Sequence, residues 1–157
     1  MARDTLVLEK ISSEEKDRET DNSTYKIATF GTDFTLEVLS KKIDYGEIII
    51  PKFQRRYVWP RKKASKLIES FLLGLPVPQV FLYRDEKTQT LLVVDGQQRL
   101  KTVNYFINGK FSDNSTFYLL GVKSIWEGKT YLSLNESDKR KLKNTPLRAT
   151  VFEQLDP

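Results

Sequence analysis

The segment of this sequence best suited to chemistry is VVDGQQRLKT, where an apolar run meets a helical pattern. Asp95 and Gly96 end the β-branched run, and Gln97, Gln98 and Arg99 fall in the first turn of the helix that follows. Backbone N–H groups of a first helical turn have no intrahelical partner and carry partial positive charge, so they bind anions. Glycine admits close approach, and an arginine fork matches phosphate. The spacing therefore indicates an anion site without a Walker motif.

The same residues also fit a purely structural interpretation. Asp95 would then cap the helix, Gln97 and Gln98 would be solvated, and Arg99 would pair with a carboxylate on the surface. Because strand-Asp-Gly-helix junctions are common, spacing alone leaves both interpretations open.

A second candidate is the segment PKFQRRYVWP, which precedes a helical pattern. It places Gln54 and Arg55 between Phe53 and the aromatic residues Tyr57 and Trp59. Guanidinium groups beside aromatic faces suit phosphates with stacked bases. The alternative is a loop that its aromatic residues anchor in the core while the arginines are solvated.

Three weaker candidates lie on helical patterns. Glu69 would reach a metal or a water, or else would be an ordinary exposed glutamate. The basic runs at 61–63 and 139–141 would contact a nucleic-acid backbone, or else would form solvated helix faces.

The composition bounds which chemistry these residues can perform. The chain has 157 residues, a formal net charge of +5, and neither Cys nor His. This excludes disulfides, thiolate nucleophiles, the usual zinc sites and imidazole bases, and it leaves carboxylates, Lys, Arg and a hard metal such as Mg²⁺. No apolar run is long enough to span a bilayer and no signal peptide is apparent, so we expect a cytoplasmic protein with no membrane partner.

The elements that must position these residues are predicted from the spacing of apolar residues, which follows the helical period in some segments and alternates as in a strand in others. Residues 1–31 are predicted to be a mobile or partly helical leader and residues 32–157 a single domain. Within that domain the patterns predict a helix capped by Thr32 or Asp33 and ending near Gly46, a strand at 47–50, and a helix from Pro60 to Gly74. There follow a hairpin (79–85 and 89–95), a helix from 95–96 to 108–109, a strand at 117–121, a turn near Trp126, a helix at 135–144 and a strand at 147–152.

Taken in order, "IPKFQRRYVWP", the Pro-x-Pro connector and "VDGQQRLKT" closely resemble the N-terminal domain family of GmrSD-type modification-dependent restriction enzymes. The resemblance covers roughly residues 32–155. That family is similar to the ParB N-terminal and sulfiredoxin superfamily, which implies an α+β fold with a small mixed β-sheet flanked by helices. Its members bind nucleotides without a P-loop.

The resemblance implies NTP hydrolysis that powers or gates defence against modified phage DNA. It assigns nucleotide binding to Gln54, Arg55, Gly96, Gln97 and Arg99. The catalytic residues it implies are Asp95, Gln98 and Arg99, with Asp95 also the candidate ligand for Mg²⁺.

The resemblance also implies partners. The family continues into a further motif with Arg and Asn that this sequence lacks, so we expect a C-terminally truncated domain. Nuclease activity would reside in a further domain or subunit that uses a His motif, and DNA would be bound through the full-length protein. The alternative is a non-catalytic DNA-binding or regulatory module that uses the same basic groove.

Overall fold

The computed structural model describes residues 26–52 and 56–155 of the chain. Within them lie five strands and four helices: β1 (Lys26–Thr35), α1 (Leu36–Asp44), β2 (Ile48–Ile49), α2 (Arg61–Leu73), β3 (Val80–Arg84), β4 (Leu91–Asp95), α3 (Gln97–Asn108), α4 (Glu136–Asn144) and β5 (Pro146–Leu155). Residues 28–153 form the first of the two units into which the chain divides. The site described below lies in the first unit.

The strands form one mixed sheet in the order β1-β5-β3-β4-β2. β3 pairs antiparallel with β4 and parallel with β5, and β2 pairs parallel with β4. Leu82 at the centre of β3 lies opposite both Val93 and Val151, and all three side chains are buried. The fold is therefore α+β with a mixed sheet, as the sequence predicts; the likeness to the ParB and sulfiredoxin superfamily stays a prediction.

The two helices that border the site begin and end where local chemistry predicts. Pro60 precedes the first residue of α2, and Gly74 ends that helix in the left-handed region at φ +72°. α3 ends in the same way at Gly109, with φ +86°. Both helices bury an apolar stripe against the sheet and against each other, comprising Ala64, Ile68, Phe71, Leu72, Leu100, Val103 and Phe106.

The first predicted helix is confirmed except for its start, and one predicted strand is wrong. The helix predicted from Thr32 or Asp33 begins only at Leu36, because β1 runs to Thr35, whose hydroxyl accepts a hydrogen bond of 3.2 Å from the Val38 N–H. The strand predicted at 117–121 is absent from the described residues. Its alternating pattern reflects burial of Phe117 and Leu119 in the core without a paired strand.

The segment predicted to be a leader is described only in part. β1 begins at Lys26, inside the segment predicted to be a leader, and residues 1–25 of that segment lie outside the described residues. No helix of the described part of the chain is long and apolar enough to cross a membrane.

Candidate functional site

The centre of the site is the junction between β4 and α3. β4 ends at Asp95, and Gly96 forms the N-cap of α3 with φ +100° and ψ 16°. The N-cap is Gly96 and no side chain of the described residues caps this helix, so the structural interpretation that Asp95 serves as its cap is wrong. The Asp95 side chain is 67% exposed, whereas Gly96 is buried.

Gly96 is required at this junction for two reasons. Its positive φ lies in a region that L side chains rarely adopt. In addition, a Cβ on Gly96 would lie 2.5 Å from Cγ1 of Val80 and 3.2 Å from Nη2 of Arg99. The main chain at the start of α3 thus passes directly over the beginning of β3 and over the Arg99 guanidinium.

Arg99 is neither solvated nor a simple surface ion pair. Its Nη2 donates a hydrogen bond of 2.8 Å to the carbonyl oxygen of Gln79, and it lies 4.0 Å from a carboxylate oxygen of Asp95. The side chain is 18% exposed, and its buried Nε has no hydrogen-bond partner among the described residues. One edge of the guanidinium is therefore hydrogen-bonded to the backbone, while the side chain lines a cavity.

The segment Arg56–Pro60 forms the opposite wall. Nε2 of Gln98 donates to the carbonyl oxygen of Arg56 at 3.0 Å, and the Val58 N–H donates to Oε1 of Gln98 at 3.1 Å. The described part of the predicted loop thus meets the first turn of α3, as a shared site requires. Phe53, Gln54 and Arg55 lie outside the described residues.

The aromatic residues of this segment have different roles. The Tyr57 ring packs edge-to-face against Tyr105 and Phe111, with centroids 5.1 and 5.7 Å away, and its hydroxyl lies 2.8 Å from Oγ1 of Thr102. Burial raises the pKa of Tyr57 to about 12. Tyr57 is therefore an anchor, as the alternative interpretation of this loop proposed.

Trp59 is instead half-buried at the cavity. The Lys63 ammonium, one helical turn further along, lies over the Trp59 ring at 4.9 Å from its centroid. This pair supplies an aromatic surface and a positive charge to the cavity that Arg99 also lines.

These walls enclose a cavity of about 560 Å³, within the range of small-molecule sites. Every residue of the DGQQR motif lines it. Its lining residues come from the loop, the first turn of α2 and the β4–α3 junction: Val58, Trp59, Pro60, Lys63, Asp95, Gly96, Gln97, Gln98 and Arg99.

Of the weaker candidates, Glu69 and Arg61 have structural roles away from the cavity, whereas Lys63 of the run at 61–63 lines it. Glu69 is 9% exposed, and its carboxylate accepts a 2.7 Å hydrogen bond from the Lys123 N–H, so it is neither exposed nor free to hold a metal. Arg61 donates to Thr116 O and to the Ser115 hydroxyl. The described residues contain no cluster of three or more acidic side chains that would hold a metal ion without a ligand's help.

Sequence reasoning missed two contributors to the site. Lys63 was grouped with a basic run, although its i, i+4 spacing from Trp59 was a usable signal. Gln79 provides a backbone carbonyl from 20 residues away along the chain, for which no sequence pattern exists.

Residues 36–156 match the family described as the N-terminal domain of GmrSD restriction endonuclease. An uncharacterized protein of Methanocaldococcus jannaschii is 30% identical over 92 residues, which cover 44% of this chain and 16% of that protein. The chain thus matches about a sixth of the length of that relative. No solved structure matches it significantly.

Proposed function

Because the chain belongs to the family of GmrSD restriction endonuclease N-terminal domains, we propose that it is the nucleotide-binding, NTP-hydrolysing domain of a modification-dependent restriction or anti-phage defence protein. The observation that carries the proposal is that the first turn of α3, the Arg99 guanidinium and the Trp59–Lys63 pair line the same cavity. A helix start with a cation suits phosphates, and an indole suits a base.

The phosphate end of the proposed ligand lies at the β4–α3 junction. Gly96 lines the cavity, and among the described residues no side chain caps the N-terminal turn of α3. Arg99 adds a fixed positive charge, which its hydrogen bond to Gln79 holds in place. Pre-organised donors of this kind stabilise anions without reorganisation on binding.

The opposite end of the cavity suits the base. Trp59 provides a rigid aromatic surface and Lys63 a positive charge within reach of either a base or a phosphate. We propose that Gln54 and Arg55, which lie outside the described residues, bind the nucleotide from the same loop.

Asp95 is the residue that fits Mg²⁺. Magnesium in proteins is usually bound by one or two carboxylates together with phosphate oxygens of the substrate, and Asp95 is an exposed carboxylate at the cavity edge. Bound there, Mg²⁺ would neutralise charge on the phosphates. Hydrolysis consumes water and an NTP and yields an NDP and inorganic phosphate; we assign Asp95 the role of orienting water or metal, and Arg99 that of binding the transferred phosphate.

DNA and nuclease partners belong to the larger protein in this proposal. The chain matches 16% of its M. jannaschii relative and has no His, so we place DNA cleavage in another domain or subunit. We assign no DNA-reading role to the basic run at 61–63, because Arg61 is bound to Thr116 and Ser115 and the Lys63 ammonium lies over Trp59.

A titration of the purified chain tests the proposal. ATP, GTP, CTP and UTP would be titrated calorimetrically with and without Mg²⁺, and phosphate release would be followed under the same conditions. We expect at least one NTP to bind and to be hydrolysed only with Mg²⁺. Absence of binding by all four, together with tight duplex DNA binding that falls steeply with salt, would replace the proposal with the DNA-binding module.

A further inference from the structure

We propose that Gln98 is a positioning residue, which holds the wall that carries Trp59 against the start of α3. This assignment rests on the proposed nucleotide site, and it differs from the direct catalytic role that the family resemblance implies for Gln98. The basis is the pair of hydrogen bonds that its carboxamide makes with the backbone of the facing segment.

The Gln98 carboxamide acts as a short piece of strand. Its N–H donates to the carbonyl of Arg56 at 3.0 Å, and its oxygen accepts from the N–H of Val58 at 3.1 Å. The carboxamide thus uses its donor on Arg56 and its acceptor on Val58, two residues further along the chain. A neighbouring β-strand forms its backbone hydrogen bonds in the same pattern. A glutamine that is held in this way is poorly placed to orient a water molecule at a phosphate.

Between these two bonds, the side chain of Tyr57 attaches the same segment to α3. The Thr102 hydroxyl donates to the carbonyl of Gln98 at 2.7 Å, which uses its only proton. The Tyr57 hydroxyl, 2.8 Å away, must then donate to Thr102. Thr102 is fully buried, so the segment is fixed to α3 at three consecutive residues, through backbone at 56 and 58 and through side chain at 57.

The position of Trp59 depends on this attachment. It follows Val58 directly, and Pro60 then begins the path into α2, so movement of residues 56–58 would move the indole relative to Gly96 and Arg99. The contact between Lys63 and the indole would change with it. Gln98 therefore acts on the ligand through Trp59.

The substitution Gln98→Glu tests this with minimal change in size. It keeps an acceptor for the Val58 N–H but places a carboxylate oxygen against the carbonyl of Arg56. Gln98→Met removes both bonds without adding charge. The matched control is Gln89→Glu, which loses a similar 2.9 Å bond from a glutamine Nε2 to a backbone carbonyl, that of Glu86, in the β3–β4 turn.

The first readout needs no nucleotide. The chain has two tryptophans, so an NMR spectrum of the ¹⁵N-labelled protein shows two indole N–H signals, which Trp59→Phe assigns. We expect the Trp59 signal to shift or broaden in both Gln98 variants. The Trp126 signal, from an indole that donates to Asp138 at 3.0 Å, should stay in place and report that the fold is intact. Gln89→Glu should move neither signal.

The second readout separates positioning from catalysis. In phosphate-release assays we expect both Gln98 variants to raise KM roughly tenfold while kcat changes less than about threefold, because the ligand-binding wall is displaced and the reacting groups are not. An unmoved Trp59 signal, or a fall in kcat at constant KM, would overturn the positioning role. If the parent bound no NTP, the proposed function would fail, while the ligand-free indole signal would still test the attachment.

Discussion

The Nη2 group of Arg99 donates a 2.8 Å hydrogen bond to the carbonyl oxygen of Gln79, and this bond joins the start of α3 to the residue before β3. The Gln79 side chain in turn accepts a 2.7 Å hydrogen bond from the Thr150 hydroxyl in β5. The cation proposed to bind phosphate is therefore connected to the centre of the sheet. If Arg99 binds phosphate as proposed, its substitution affects both ligand binding and stability.

Arg99→Ala should accordingly weaken both binding and folding. Loss of the bond to the Gln79 carbonyl should lower the free energy of unfolding by about 1–3 kcal/mol. Loss of a charged donor to phosphate should weaken the binding free energy by about the same amount. The free energy of unfolding, from urea titration, should fall by that amount, and NTP affinity from calorimetry should fall roughly ten- to a hundredfold at temperatures where the variant is folded.

The matched control is Arg148→Ala. Arg148 has a side chain that is 60% exposed and a 3.8 Å contact with Asp33, and it does not line the cavity. Its removal should change stability by less than about 0.5 kcal/mol and leave NTP affinity unchanged. If Arg99→Ala kept the affinity of the parent and lost only stability, Arg99 would serve the fold alone.

Gly96→Ala should disturb the site through a measurable steric conflict. The added Cβ would meet Val80 at 2.5 Å in addition to the strain of a positive φ, so we expect a destabilisation of about 3 kcal/mol. Gly109→Ala has a similar positive φ but nothing within 4 Å of the new Cβ, and should cost only about 1–2 kcal/mol.

A double-mutant cycle isolates the contact with Val80. Gly96→Ala should be less harmful in a Val80→Ala background, with an interaction energy of roughly 0.5–3 kcal/mol from urea titrations of the four proteins. Strict additivity would show that the close approach between these two residues is not what requires glycine.

The sequence predicted the parts of this molecule whose causes are local. α2 lies between Pro60 and Gly74 because a proline starts a helix well and a left-handed glycine ends one, and both signals are visible in the sequence. The β4–α3 junction was predictable in the same way, from an apolar run followed by Asp-Gly and a helical stripe. These elements bring the DGQQR residues to one cavity wall.

The parts that were not predictable depend on contacts between distant residues. The bonds from Gln98 to Arg56 and from Arg99 to Gln79 join side chains to backbone atoms 42 and 20 residues away, and such bonds leave no periodic pattern. Glu69 is a further example, because a backbone N–H 54 residues away makes its burial favourable. The hydrophobic pattern places these residues on helices but does not show which backbone atoms they meet.

Asp95→Asn should separate turnover from stability. The side chain is 67% exposed and its 4.0 Å contact with Arg99 is weak, so the free energy of unfolding should change by less than about 0.5 kcal/mol. If Asp95 holds Mg²⁺ beside the phosphates, kcat should fall at least about tenfold, and the Mg²⁺ concentration for half-maximal phosphate release should rise.

Asp33→Asn is the matched control for this change. Asp33 is 57% exposed, lies 3.8 Å from Arg148 and is not a lining residue of the cavity. It should leave both kcat and the Mg²⁺ dependence unaltered. An Asp95→Asn protein with the Mg²⁺ dependence and kcat of the parent would exclude Asp95 as the metal-binding residue.

Tyr57 should make stability fall at high pH. Burial raises its pKa from 10.0 in the unfolded chain to about 12 in the fold, so the folded state retains a proton that the unfolded state loses. Its contribution is fully present below about pH 10 and is lost as the pH rises towards 12.

Urea titrations between about pH 8 and pH 11 should therefore show a shallower decline in the free energy of unfolding for Tyr57→Phe than for the parent. Part of the decline should remain, because burial also raises the pKa of Tyr105 and Tyr131. Tyr45→Phe, at a residue 76% exposed, should keep the slope of the parent; an equal slope in Tyr57→Phe would mean that the Tyr57 hydroxyl is not buried against Thr102.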